Sequence, residues 1–492
     1  MSTRVQSEAI AAVAAADPGL RARPVRRTWS RQVAMDIVAF LDIAAVMLGG
    51  LLPASIYAVV GEADTNWILV LQSLLVAAIL AYLCLRKWGM YDTMRTHDLP
   101  QSPALLFAAL GVALIGVLGI GLPYAVQNTH VWIWYIVWFL ASGTLILMTR
   151  GLAHPILARL SANGRFDRRI AVFGAGQIAR RVHDTLADPK FGITFVGVYD
   201  DRMDDDRVNP EGLVVAGKLD ELIEAARAER IDQIVIALPP SADRRMSEVA
   251  RRLEQLPVSL HVVTHISSDL VDGNEHRVSS IGGVGLIDVK AKPLADWAPL
   301  VKRAEDVVIA SALVVLLAPV MALIAVAIKL ESQGPVLYRQ RRRGLNQRVI
   351  EVLKFRTLKV VESDEDVKQV QPNDPRVTRL GRVLRRTSLD ELPQLFNVLT
   401  GDMSLVGPRP HAILHDEQYG RELEEYANRH QVKPGITGLA QVQGLRGETS
   451  QPEKMKARVA ADIAYIKSWS LGRDLAILAQ TLLVVVWGRN AH

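Results

Sequence analysis

The stretch "VVIASALVVLLAPVMALIAVAI" (307–328) decides the architecture, because about 20 apolar residues are enough for a helix to cross a bilayer. Its flanks argue against a crossing. Lys302 and Arg303 precede it, Arg339 and Arg341 to Arg343 follow it, and the positive-inside rule places such residues on the cytoplasmic side. A crossing would also export the arginine-rich region 331–492. Pro319 lies near the middle, where a proline removes a backbone hydrogen bond and clashes with the preceding turn. The arm of about 12 residues before it reaches ~18 Å, roughly one leaflet. The segment therefore reads as a re-entrant hairpin over 305–330 that breaks at Pro319, with a kinked spanning helix as the alternative.

Upstream, apolar stretches near 33–60, 67–85, 103–123 and 131–149 each have spanning length. They predict a four-helix transmembrane domain over 33–150, preceded by a disordered basic cytoplasmic arm (1–32) with no cleaved signal peptide. The connections "GEADTN" (61–66) and "VQNTH" (126–130) hold no Lys or Arg, whereas the arm, "RKWGMYDTMRTH" (86–97) and the residues after Arg150 are basic. Both ends of the bundle are thus expected in the cytoplasm. Asp36 and Asp42 in the first span form either a functional intramembrane pair or simple bundle-facing groups. Cys84 is the only cysteine, which excludes a disulfide framework within one chain.

Between bundle and hairpin, "RRIAVFGAGQIARRVHDTL" (168–186) reads as strand, glycine turn and helix, with Gly174, Gly176 and Ala179 in G-x-G-x-x-A positions. "FVGVYDDR" (195–202) and "IDQIVIALP" (231–239) add strands, giving a doubly wound, Rossmann-like α/β domain over 160–292. Asp200, next to Asp201, is placed to contact a ribose. No Tyr is followed four residues later by Lys, which argues against dehydrogenase or epimerase chemistry. A nucleotide site and a purely structural or oligomerising role both stay open, and a homo-oligomer is compatible with either.

Beyond the hairpin, strands around a basic turn end in Lys354 and Arg356, the "ESDED" patch (362–366) reads as a solvated loop, and the Arg339–Arg343 cluster suits anionic head groups. Arg376, Arg379, Arg382 and Arg386 recur at helical spacing. Their basic face points to phosphate rather than nucleic acid, since no stacking aromatics interleave them. In "RTSLDELPQLFN" (386–397), Ser388 with Glu391 fits a capping box, but Pro393 fits that cap poorly and neither capping scheme uses both Asp390 and Glu391. Carboxylates among arginines stay ionised, which suits them to hold a divalent cation or attack phosphorus.

"KFRTL", "RRTSLDELPQLFNVLTGDMSLVGPRP" and "HQVKPGITGLAQVQGLRGE" (430–448) resemble the signature blocks of the bacterial sugar transferase family, the polyprenyl-phosphate hexose-1-phosphate transferases. The resemblance is dense over 300–492. With the four spans and the Rossmann-like domain it extends to the large subgroup that begins exopolysaccharide or capsule synthesis. It implies transfer of a sugar 1-phosphate from a UDP-sugar to undecaprenyl phosphate with release of UMP, at the cytoplasmic face of the bacterial inner membrane. It implies Asp390 as the nucleophile of an aspartyl-phosphosugar intermediate, Mg2+ held at Asp390 and Glu391, a phosphate clamp of Arg385 and Arg409, and supporting contacts from Lys354 and Arg356. "KPGITG" (433–438) would shape the substrate pocket, or be an ordinary turn. His411 and His415 have metal-like spacing but no counterpart in the family. Ala318 departs from the serine often found before the break proline. "DLAILAQTLLVVVWG" (474–488) reads as a helix on the membrane or packed on the hairpin. Glucose is the first choice of sugar and galactose the next, by architecture alone. The alternative function is a nucleotide-sensing membrane scaffold that regulates polysaccharide assembly.

Overall fold

The computed structural model describes residues 30–60, 66–91, 102–125, 129–186, 192–202, 213–228, 231–264, 278–281, 284–359, 374–445 and 452–487. Residues 1–29 of the basic arm and the acidic patch 362–366 lie outside them. The described residues form two compact units that part near residue 170, with 184–186 and 192–195 falling in the first.

The first unit holds α1 (Arg31–Val60), α2 (Trp67–Lys87), α3 (Pro103–Ala125) and α4 (Thr129–Ala162). α1, α2 and α4 are long and apolar enough to span a membrane, and α3 contains the shorter apolar stretch Pro103–Gly119. Small residues let these helices approach closely, since lipid gives no hydrophobic force between them. A Cβ on Gly49 would lie 2.3 Å from Ser142 Oγ, and one on Gly50 2.2 Å from the Leu74 side chain. Trp138 donates its indole N–H to the Val46 carbonyl at 3.1 Å. Asp42 is buried, ion-paired with Arg150 at 2.7 Å, and accepts from Tyr91 Oη at 2.8 Å, whereas Asp36 accepts from Gln32 one turn away. The two acids do not form a pair, and Asp42 joins α1 to α4.

The second unit begins with a seven-stranded sheet. Its elements are β1 (Arg168–Phe173), α5 (Gln177–Leu186), β2 (Ile193–Tyr199), β3 (Val215–Gly217), α6 (Leu219–Arg227), β4 (Gln233–Ile236), α7 (Asp243–Leu253), β5 (Ser259–Thr264), β6 (Val278–Ile281) and β7 (Val284–Lys290). Strand order is 3-2-1-4-5-7-6, the doubly wound arrangement extended by an antiparallel β6–β7 pair along β5.

Next comes α8 (Ala298–Glu331), which runs through Pro319 as one helix. The expected break is therefore a proline within a continuous helix, where one backbone bond is lost while its neighbours hold. Only 17% of its apolar window is covered by protein. Four such spanning-grade helices, α8 included, make this a membrane-associated protein.

After α8 come the antiparallel hairpin β8 (Leu337–Arg343) and β9 (Val349–Phe355), then α9 (Arg379–Thr387), α10 (Gln394–Thr400), β10 (Ser404–Val406), α11 (Ile413–Glu422), β11 (Gly435–Thr437), α12 (Leu439–Val442), α13 (Pro452–Lys467) and α14 (Leu471–Trp487). Val352, Leu395, Val398, Leu405, Tyr465 and Ile477 form the core of this region. α14 is packed rather than free: Thr481 bonds Thr437 at 2.7 Å and Asp474 pairs with Lys302 of α8 at 2.7 Å, while Leu482 and Leu483 stay exposed.

Candidate active site

Asp390 and Glu391 lie on a single tight turn, Leu389–Glu391, between α9 and α10. The capping-box expectation fails here. Ser388 ends α9 in a left-handed conformation (φ 58°) and makes no side-chain cap, an uncommon backbone for a residue with a Cβ, of the kind that clusters at functional sites. α10 starts only after Pro393, so the proline occupies a position where its missing N–H costs nothing. The two acids are left outside both helices.

Their environments differ sharply. Glu391 is buried and accepts three charged hydrogen bonds: Arg409 donates to both carboxylate oxygens at 2.6 and 3.0 Å, and Lys354 Nζ donates at 3.0 Å. Burial opposes ionisation of Glu391, but Arg409 and Lys354 outweigh it and hold the carboxyl well below its ordinary value. Asp390 has no hydrogen-bond partner among the described residues. Burial pushes its carboxyl up, the Lys354 charge opposes this, the Glu391 charge adds to it, and Arg385 and Arg409 oppose it further. The expectation that a carboxylate among these arginines is held ionised fits Glu391, the fixed anion, whereas Asp390 is the uncommitted carboxylate that burial raises. Environments that push neighbouring carboxylates apart assign them different tasks.

Two placements set this geometry. Lys354 is delivered by β9, whose edge is held by Asn397 of α10: the Asn397 side chain accepts from Leu353 N–H at 2.9 Å and donates to Glu351 C=O at 2.7 Å. Arg409 follows β10, and its carbonyl accepts from Arg429 at 2.7 Å. Arg429 is buried, pairs with Asp462 at 2.8 Å and donates to Tyr426 Oη at 3.1 Å. Asn397, Arg429 and Asp462 were not singled out from the sequence; only the helical register of "LFN" placed Asn397 on the buried side.

Arg356 is implied by the resemblance as a supporting substrate contact. It is buried, and its guanidinium donates to the carbonyls of Ser332 at 2.7 Å and Gln333 at 2.8 Å, capping the C-terminus of α8. Gly334 has φ +123°, a left-handed backbone that favours glycine, and it lies against the Arg356 guanidinium. Arg385 is exposed on α9 and reaches Asp390 through its charge rather than a hydrogen bond. The β8 arginines are not all directed at lipid: Arg343 pairs with Glu417 at 2.9 Å and Arg339 with Glu351 at 3.3 Å. Burial, with Arg409 adding its charge, pushes Arg342 down to about 10.

"KPGITG" forms β11 beside β10. A Cβ on Gly435 would meet Gly407 N at 2.1 Å and one on Gly438 would meet Gly407 O at 2.2 Å, so these glycines serve backbone approach next to Arg409. His411 is buried against Tyr426 Oη at 2.6 Å, and burial together with Arg429 holds it well below its ordinary value; it braces the Arg429 network. No group of three or more His, Cys, Asp or Glu that could hold a metal occurs among the described residues. The fitting donor for a magnesium ion is the carboxylate of Asp390, since this metal usually takes one or two carboxylates and completes its shell with waters and substrate phosphates.

In the Rossmann-like domain, Gly174 (φ +109°) brings its turn within 2.8 Å of Ala237 O, measured from an added Cβ, whereas a Cβ on Gly176 would meet nothing within 4 Å. Ala179 is buried. Asp200 is also buried, accepts from Ala175 N–H of the glycine turn at 2.9 Å and from Arg202 N–H at 3.0 Å. The acid expected at a ribose is therefore spent on the turn that would cradle phosphate.

Residues 297–488 match the model of the family described as bacterial sugar transferase, and residues 86–264 match a CoA-binding domain. A UDP-glucose:undecaprenyl-phosphate glucose-1-phosphate transferase of Escherichia coli (strain K12) is 40% identical over 360 residues, covering 72% of this chain and 75% of its own. The protein of the same description from Xanthomonas campestris pv. campestris is 34% identical over 431 residues, 85% of this chain and 87% of its own. One from Caulobacter vibrioides is 56% identical over 191 residues, 39% of this chain and 72% of its own. The fold and site define a membrane-associated enzyme that handles phosphate groups. The chain belongs to the bacterial sugar transferase family, and is a sugar phosphotransferase.

Proposed function

We propose that the chain transfers glucose 1-phosphate from UDP-glucose to undecaprenyl phosphate in two steps through Asp390. Asp390 attacks the glucose-bearing phosphorus, the bond to the bridging oxygen breaks, and UMP leaves with the electron pair. A phosphate oxygen of undecaprenyl phosphate then attacks the same phosphorus and expels Asp390 as carboxylate, giving undecaprenyl-diphosphate glucose. The observation that carries this reading is the split between the acids: Glu391 is spent on Arg409 and Lys354, while Asp390 keeps an uncommitted carboxylate beside the same cations. Phosphoryl transfer is catalysed mainly by positioning and electrostatics, and Arg409 and Lys354 are held in place before substrate arrives. Magnesium bound at Asp390 would neutralise diphosphate charge. Glu391, whose two oxygens already accept three bonds, serves better as the anchor of the clamp than as a second metal ligand. UDP-glucose as donor follows the descriptions of the relatives above.

The membrane reading is a re-entrant α8 in the inner membrane, with the catalytic region on the cytoplasmic side. Arg303 near its start donates to the carbonyls of Val398 and Leu399 at 2.6 and 2.7 Å, and Glu331 at its end accepts from Leu380 N–H at 3.1 Å. A straight helix would separate those ends by ~42 Å, and a bend at Pro319 returns both to one small domain. Asp390→Asn tests the chemistry: wild-type protein given radiolabelled UDP-glucose without lipid should trap one labelled sugar phosphate per chain and release UMP, and the variant neither. Turnover of the variant within a few-fold of wild type would remove Asp390 as nucleophile.

A further inference from the structure

A cleft of about 710 Å³ separates α7 and the 289–298 connector from the segment 428–431 and the end of α13. That volume suits a ligand of mononucleotide size. Its walls carry Arg251, Lys290, Lys292 and Lys467 with the carboxylate of Glu254, and Lys292 also pairs with Asp232 at 3.4 Å. Lys290 is gathered in beneath the C-terminus of α7, donating to the carbonyls of Glu254 and Leu256. Burial pushes Lys290 down to about 8, with Glu254 opposing the shift and Lys467 adding to it. Lys290 is half-buried and Lys467 is exposed near it without a carboxylate of its own among the described residues, while Arg251 and Lys292 stand exposed at the rim; like charges gathered in this way favour an anion in the cleft.

The cleft is also connected to the catalytic clamp. Arg251 of α7 pairs with Glu424 at 2.9 Å, and the Gln431 side chain donates to the Glu254 carbonyl at 2.9 Å. Glu424 and Gln431 are the ends of one helical turn segment. Within it, Asn428 and Gln431 line the cleft, and Arg429 between them holds the Arg409 carbonyl. The connector that forms the other wall includes Leu294 and Asp296 at φ 51° and 52°, backbone strain of the kind found in ligand clamps and switch regions. The glycine turn, by contrast, has Asp200 on its own amide.

We propose that this cleft, rather than the glycine turn, is the ligand site of the Rossmann-like domain, that it takes a phosphorylated small molecule of mononucleotide size, and that occupancy reaches Arg409 through the 424–431 segment. The probe is trinitrophenyl-ADP, titrated in magnesium-free buffer into the full-length protein in detergent. Its fluorescence should rise saturably and fall on adding pyrophosphate, and saturating UDP-glucose should leave it bound. The double variant Lys292→Glu/Lys467→Glu should bind at least tenfold more weakly. Under turnover with magnesium, saturating probe should change kcat/KM for UDP-glucose at least twofold in wild type and not in the double variant. Lack of saturable binding, displacement by UDP-glucose, or unchanged affinity in the double variant would overturn the site, and an unmoved kcat/KM would overturn the coupling. The binding measurements need no turnover, so they stand or fall apart from the transferase reading.

Discussion

Replacing Glu391 by Gln changes one heavy atom and removes the charge that Arg409 and Lys354 both bond. In the native site, burial raises the Asp390 carboxyl, Glu391 raises it further, and Lys354, Arg385 and Arg409 lower it. With Glu391 neutral, one raising influence disappears and two cations lose their anion, so both changes lower Asp390. Ionisation of the nucleophile sets the acidic limb of the rate profile, and that limb should therefore move to lower pH in Glu391→Gln. The maximum rate should fall nonetheless, because the cations are no longer aimed and settle on Asp390 itself. Loss of an oriented stabilising group costs on the order of 10²–10³ in kcat. Stability should fall toward the lower end of the about 3–5 kcal/mol typical of breaking a buried pair, since the Arg409 side chain is 28% exposed. The assay is UMP release against pH, with thermal unfolding of the same preparations. An acidic limb that stays in place or moves upward, or a kcat within threefold of wild type, would refute the division of roles between the two acids.

Arg356→Gln should lower stability by about 1.5–3 kcal/mol for the lost charged bonds to the end of α8, with kcat/KM of the folded fraction within a few-fold of wild type; a selective rise in KM for UDP-glucose would restore it as a substrate contact. Asn397→Ala unpairs the Leu353 N–H and the Glu351 C=O and should cost about 2–5 kcal/mol in denaturant melts, together with a drop in kcat as Lys354 loses its register. Arg150→Met leaves Asp42 buried without its cation and should cost about 3–5 kcal/mol in detergent unfolding, without change in KM for UDP-glucose. Because Glu391 is held below its ordinary value, it contributes stability that is complete above the unfolded carboxylate range and lost as pH falls through its folded value. The denaturant midpoint of Glu391→Gln should therefore fall less on acidification than that of wild type.

Local pattern was sufficient for much of the fold. The four apolar stretches became α1 to α4, and strand–turn–helix at 168–186 became β1 and α5, because periodicity and glycine turns act within a few residues. Pro319 reads in the sequence as a break, whereas α8 runs through it as one helix, since a proline removes one backbone bond and can bend a helix whose remaining bonds survive. The antiparallel pairing of β7 along β5 carried no such local signal, because it joins residues as distant in sequence as Leu260 and Lys290.

The sequence by itself determined the family and the positions of the acids and arginines, because these are written in contiguous blocks such as "TSLDELPQLFNVLTGDMSLVGPRP". It could not say which arginine meets which carboxylate. Arg356 and Arg409 look alike in sequence, yet one caps the end of α8 and the other grips Glu391. Only tertiary structure decided that Glu391 is pinned as the anion while Asp390 is left uncommitted. The reason is physical: hydrogen bonding and desolvation act over a few ångströms, and the groups that meet within that range here are separated by 18 residues for Arg409 and Glu391 and 37 for Lys354 and Glu391.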